Sequence, residues 1–208
     1  MNGPKLWADM LEAINIPGAV VAGGCIRDCF LAVEPKDIDI FIPVESREDM
    51  TAKLFDPPSL AGFAAQLSAS LYGTPKFGHL TMLEPGEYAN PPGKRYTEYD
   101  DAFGEAGDLF GVAEGEFMGY AVNIIGRKAH ADGLEALIGS FDFNILQAAY
   151  DGKRCHLGPG QAVDQFYHRA TMAHDRHVEQ SIRRFFRFNT RHPGLLSLVV
   201  PFEYEFNG

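Results

Sequence analysis

Cysteine is scarce in this chain of 208 residues: there are three, Cys25, Cys29 and Cys155. They are too few and too far apart for a disulfide framework or a four-ligand zinc site. Cys25 and Cys29 read as buried thiols one helical turn apart. Positive charge is also short, with 18 Lys and Arg against 28 Asp and Glu and a formal net charge of −10. The bulk surface is therefore no magnet for nucleic acid, and any such contact requires a local basic patch. No apolar run reaches the roughly 20 residues that span a bilayer. Met1 to Met10 lack a basic region followed by an apolar stretch. A reducing cytoplasm and no membrane partner are the expectation. The rest of the composition, 46% hydrophobic and 22% charged, suits one globular domain or a domain with a modest extension.

Against this background one stretch carries chemistry. Val20-Val21-Ala22-Gly23-Gly24-Cys25-Ile26-Arg27-Asp28 reads as a strand, a glycine turn and a helix start, and Asp37-Ile38-Asp39-Ile40 follows as a second strand. Side chains alternate along a strand, so Asp37 and Asp39 point one way while Ile38 and Ile40 point the other. Two carboxylates in one small site raise each other's pKa unless a cation lies between them. Oxygen ligands with retained water suit Mg²⁺, with Mn²⁺ as the alternative. Gly23 and Gly24 allow backbone N–H groups to approach a ligand closely, and the helix start aims its positive end at the same point. A nucleoside triphosphate with Mg²⁺ fits such a site.

Gly23, Gly24, Ile26, Arg27, Asp28, Leu31, Asp37 and Asp39 resemble, without a gap, the signature of the DNA polymerase β-like nucleotidyltransferase superfamily. The match is nearest to the head domain of bacterial-type CCA-adding enzymes and poly(A) polymerases; Ala32 stands where that family has glycine. The resemblance implies an α/β (α+β) nucleotidyltransferase fold, a small mixed sheet backed by helices. It implies catalytic and metal-holding roles for Asp37 and Asp39, and nucleotide contacts for Gly23, Gly24, Arg27 and Asp28. Arg27 is expected to meet phosphate and Asp28 to orient the turn; a local ion pair between them is the alternative.

Elsewhere, Leu6, Met10, Leu11 and Ile14 fall on one side of an N-terminal helix, and helices are expected over 45–54 and 60–71, the former with Ser46 as a candidate cap. Gly73 to Leu83 reads as a short hairpin strand. Residues 84–118 hold nine acidic and two basic residues with Pro91-Pro92-Gly93, and read as a long acidic insertion. Tyr120 to Ile125 is the next strand. The superfamily commonly places a third carboxylate there, and the polar residue in this run is Asn123. In Phe141-Asp142-Phe143-Asn144-Ile145 apolar and polar residues alternate as in a half-buried strand. Together with Ala149-Tyr150-Asp151 the segment resembles the family's ribose-recognising motif, which makes Asn144 a nucleotide contact. Asp142 is the candidate third catalytic acid or sugar contact. Should Asp142 face the Asp pair, an enzyme is favoured; should it face away, a binding module gains.

Residues 1–157 are thus read as a nucleotidyltransferase head and 158–208 as a helical extension with helices over 162–172 and 175–189. On the last helix Arg176, Arg183, Arg184, Arg187 and Arg191 gather on one arc, with Val178, Ile182, Phe185, Phe186 and Phe188 on the other. The Arg183, Arg187 and Arg191 face is a candidate contact for RNA or tRNA, or else a solvated surface. Glu179, Gln180 and Arg183 stand where the family's neck selects the base, which implies a nucleotide contact for Arg183. The expected reaction is transfer of a nucleoside monophosphate from an NTP to an acceptor hydroxyl, with an RNA or tRNA 3′ end foremost. The alternatives are a protein or small-molecule acceptor, or a non-catalytic nucleotide- or RNA-binding module.

Overall fold

The computed structural model describes residues 3–55, 77–83 and 108–202. In chain order the elements are α1 (Gly3–Ile14), β1 (Val20–Ala22), α2 (Gly24–Phe30), β2 (Ile38–Ile42), α3 (Arg47–Phe55), β3 (Thr81–Met82), β4 (Leu109–Phe117) and β5 (Tyr120–Arg127). They continue with α4 (Lys128–Ala131), α5 (Leu134–Gly139), a 3₁₀ turn at Asn144–Leu146, β6 (Ala148–Tyr150), β7 (Cys155–Leu157), α6 (Gln161–Phe166), β8 (Arg169–Thr171), α7 (Val178–Arg191) and β9 (Ser197–Val199). Seven strands form one sheet in the order β3-β4-β5-β2-β1-β6-β7. Within it only β2 and β5 run parallel, and β8 pairs with β9 in a small sheet of its own. Mixed α/β architecture is therefore as the sequence suggests.

The period-2 pattern of β2 decides which side is which. Ile38, Ile40 and Ile42 are fully buried with Trp7 and Met10 of α1, Ile26 of α2 and Met50 of α3. Burying each such side chain stabilises the fold by about 1.5–3 kcal/mol. Phe41, on the opposite face, packs with Val20, Val112, Ile125 and Phe141 beneath Leu137 and Ile138 of α5. Asp39 shares the Phe41 face. Ser46 caps α3 as expected: its Oγ accepts from the Asp49 N–H at 3.1 Å, while the Asp49 carboxylate accepts from the Glu45 N–H at 3.0 Å.

Three expectations change. Residues 109–117, read as part of an acidic insertion, are a nine-residue strand of the main sheet. Gly111, Gly115, Glu114 and Glu116 hide its alternation, yet Val112, Ala113 and Phe117 are buried and Met118-Gly119, both with positive φ, make a tight hairpin turn to β5. The expected strand over 141–145 is a short β-bridge from Phe143 to Met172 followed by the 3₁₀ turn, and the strand proper is β6. Residues 169–171, expected inside a helix, form β8. The alternating pattern at 141–145 arises because Phe143 and Ile145 enter a core with Met172, Ile182, Phe185 and Phe188. The expected helix over 60–71 lies outside the described residues. Among the described residues no helix is long and apolar enough to cross a membrane.

Candidate functional site

β1 ends at a turn that only glycine adopts without strain: Gly23 has φ +80° and its N–H donates to the Ala148 carbonyl at 3.1 Å. A Cβ there would sit 3.4 Å from the Phe141 ring. α2 starts directly at Gly24, two residues earlier than expected, and carries Cys25 under the acid pair. Burial, then the charge of Asp39, push the Cys25 thiol far above its ordinary range.

β2 is antiparallel to β1, so its first residues lie beside the glycine turn. Asp37 is part-exposed and paired with Lys36 at 3.1 Å. Asp39 lies opposite Asn123 in the β2–β5 register, and the Asn123 amide donates to Asp39 Oδ1 at 2.9 Å. Burial first, and then the charge of Asp37, push the Asp39 carboxyl up to about 7, against the hydrogen bond from Asn123. Lys36 and Arg27 offset this only in part, a condition a bound cation would relieve further. Among the described residues no group of three or more His, Cys, Asp or Glu is placed to hold a metal ion. Two carboxylates with open positions for water and phosphate match Mg²⁺ better than a metal that needs an all-protein cage.

Asp142, the candidate third acid, is placed otherwise. Its buried carboxylate accepts from Arg184 of α7 at 3.0 Å, so the arginine answers its charge, and Asn123 is the polar side chain bonded to Asp39. Asp142, expected as a third acid, is thus seen paired with Arg184. A strand over 141–145 would have carried Asp142 with the sheet, whereas the bridge to Met172 ties it to the C-terminal elements. Asn144 sits in the 3₁₀ turn with its amide packed on Gly160, where a Cβ would collide with it.

Arg27 and Asp28 form an ion pair at 2.6 Å, with the Arg27 side chain 12% and that of Asp28 4% exposed. The Arg27 guanidinium also lies 4.0 Å over the Phe188 ring of α7. The local ion pair is thus the arrangement seen, and the arginine expected at a phosphate braces α2 against α7. Arg183 stands exposed near Glu179 at 3.9 Å, one turn away, and Arg191 lies over Phe188. The structure therefore brings Gly23, Gly24, Asp37, Asp39 and Asn123 together and keeps the Arg27–Asp28 pair next to them, while Asp142 is bonded to Arg184, Asn144 packs on Gly160 and Arg183 lies near Glu179. Sequence reasoning misses Glu114, which is exposed and faces Asn123 across the β4–β5 register. Its signal is the alternation of Val112, Glu114 and Glu116 with their neighbours, which the glycines between obscure.

A family model described as Gabija anti-defense 2 matches residues 5–176. The chain belongs to that family. No curated protein matches it significantly. Among solved structures it is similar to a Thermotoga maritima CCA-adding enzyme complexed with tRNA, at 17% identity and a TM-score of 0.54, covering 96% of this chain and 39% of that one. A CCA-adding enzyme in complex with CTP matches at 19% identity and 0.54, covering 96% and 40%. An apo tRNA-processing enzyme matches at 16% and 0.54, covering 97% and 45%. These likenesses show a nucleotidyltransferase fold in a member of the Gabija anti-defense 2 family that spans less than half the length of those enzymes.

Proposed function

We propose that the chain binds a nucleoside triphosphate with Mg²⁺ at Asp37 and Asp39 and moves its nucleoside monophosphate to an acceptor hydroxyl, releasing pyrophosphate. The observation that carries this is the acid pair itself: Asp39 on β2 and Asp37 just before it, beside a glycine turn, with Asp39 pushed up to about 7 by burial and then by the charge of Asp37. Asp37 offers a part-exposed carboxylate whose partner is the exposed Lys36. Asn123 holds Asp39 Oδ1 and so fixes which oxygen is presented. The Gly23 turn admits the phosphates without a side chain in the way, and the Arg27–Asp28 pair, stacked on Phe188, holds that turn's helix still. When bound, Mg²⁺ neutralises phosphate charge and lowers the pKa of the acceptor hydroxyl. The tRNA and the CTP bound by the structural relatives support an RNA acceptor met through Arg183, Arg187 and Arg191. The family's name supports placing the activity in the countering of Gabija defence, where a protein acceptor is equally served by the same chemistry.

A second reading is favoured by a specific observation. Asn123 stands beside Asp39 where an acid would complete the set, and Asp142 is taken by Arg184. These support a module that binds nucleotide without transferring it. One experiment separates the two: incubate the protein with each labelled NTP, Mg²⁺ or Mn²⁺ and cell extract containing the defence proteins, then separate RNA, protein and small molecules. Label that follows RNA or protein, and is lost in Asp39→Ala, supports transfer. NTP binding by calorimetry with no label transferred to any fraction supports the binding module.

A further inference from the structure

Residues 152–202 carry eight Lys and Arg against three Asp and Glu, in a chain whose net charge is −10. Five of the eight large apolar side chains that stand exposed among the described residues also fall there: Leu157, Val163, Phe166, Tyr167 and Phe186. Three of these are aromatic, with Phe166 78%, Tyr167 63% and Phe186 57% exposed. A ring left in water forgoes the free energy of burial. Rings beside cations are the combination that holds single-stranded nucleic acid, with phosphates against the charge and base faces against the rings. Phe186 departs most from its pattern: helical spacing puts it with the docking side of α7, where Val178, Ile182, Phe185 and Phe188 are all buried.

The rings are held in place from below. The buried Asp164 carboxylate accepts from the Arg169 Nε at 2.9 Å, from the Thr171 N–H at 2.7 Å and from the Thr171 hydroxyl at 2.8 Å, which ties α6 to β8. The same Arg169 guanidinium lies 5.3 Å from the centre of the Tyr167 ring, and Phe166 stands edge-on to Tyr167 at 5.0 Å between ring centres. Phe186 rests edge-on against the buried Phe185 at 5.7 Å, one helical turn from Arg183 and next to Arg187 in sequence. Ala170 of β8 and the adjoining Met172 share a core with Ile182, Phe185 and Phe188 of α7, so both ring positions ride on one packed unit. A ring fixed before contact loses little entropy on binding.

We infer that single-stranded RNA binds this unit with unpaired bases stacked on Phe186 and on the Phe166–Tyr167 pair, and with its phosphates against the arginines. In naming RNA the inference rests on the acceptor reading above; the contact itself needs neither the acid pair nor transfer. The positive balance of residues 152–202 favours a polyanion over an apolar protein surface as the cover for these rings. A duplex keeps its base faces inside its own stack and offers the rings nothing. The aromatic positions therefore select single strands, which arginines alone would not. Stacking accepts any base, so the contact reads no sequence.

Fluorescence anisotropy tests it, with the full chain, no NTP, and four labelled probes of equal length: oligouridylate, oligothymidylate, an RNA duplex and an abasic strand. Oligouridylate should bind tightest, with the duplex and the abasic strand weaker by about tenfold or more. Phe186→Ala, and separately Phe166→Ala with Tyr167→Ala, should each weaken oligouridylate binding by about tenfold and leave its salt slope unchanged, since a lost stack releases no counterion. These side chains are exposed, and thermal unfolding checks that each variant folds. In Phe186→Trp the new indole should be quenched by oligouridylate and not by the abasic strand, against the constant signal of Trp7, the parent's one tryptophan, which is buried. The inference is overturned by equal affinity for duplex and single strand, by an abasic strand that binds as well, by a preference for oligothymidylate, by unchanged affinity in both ring variants, or by no binding of any strand at low salt. Each of these leaves transfer to a protein acceptor standing, and a failure of label transfer in every fraction leaves the stacking result untouched.

Discussion

Asp39 and Asp142 are expected to serve one site, and they sit in opposite electrostatic settings. Asp39 has a carboxylate neighbour and a neutral amide, and burial with the charge of Asp37 pushes it up to about 7. Asp142, itself buried, has Arg184 at 3.0 Å. An acid whose charge the chain answers itself is part of the packing. A buried acid beside a second acid is where the proposed Mg²⁺ would bind.

The largest expected effect breaks the comparison directly. Asp37→Ala or Asp39→Ala should lower label transfer by about three orders of magnitude or more, the several kcal/mol a metal clamp supplies. Asp142→Asn should change it by less than about tenfold. Equal loss in all three would mean that Asp142 works with the pair after all.

Next comes pH. Asp39 ordinarily titrates near 3.8 and is raised to about 7 in the fold, so between those values the native state keeps a proton that the unfolded chain has lost. Stability of the metal-free protein should therefore fall as pH rises from about 4 to 7, by up to about 1.4 kcal/mol per pH unit, and level off above that. Denaturant melts at several pH values read the slope. Asp39→Asn should flatten it and Mg²⁺ should lift its upper end; a slope that survives in Asp39→Asn belongs to another group.

Arg184→Met strands the Asp142 carboxylate and should cost about 1–3 kcal/mol of stability, visible as a lower melting temperature. NTP affinity by calorimetry should stay the same, which sharpens the division between structural acid and site acid. The smallest effect is expected on the exposed arc of α7. Replacing Arg183, Arg187 and Arg191 with Gln should reduce the salt slope of RNA binding by about one unit for each phosphate that no longer meets an arginine, while Gln keeps the helix. An unchanged slope would assign that arc to solvent.

The sequence by itself determined the local parts of the candidate site. A strand's period of two puts Asp39 on the face opposite Ile38 and Ile40, with Asp37 just before the strand, a glycine pair permits the φ of +80° at Gly23, and Ser46 announces the α3 cap. Each is governed by residues within a few positions of one another, where steric and hydrogen-bond rules act directly. Only the tertiary structure decided the rest. Asn123 meets Asp39 across 84 positions because parallel strands β2 and β5 align in one register. Arg184 reaches Asp142 across 42 because Phe143 and Ile145 pack with α7 rather than with the main sheet. Residues 109–117 join the sheet although glycines and acids mask their pattern, since β5 supplies a partner for their backbone. Pairing register and helix docking depend on the total fit of distant surfaces, and the free energy of that fit is not contained in any short stretch of chain.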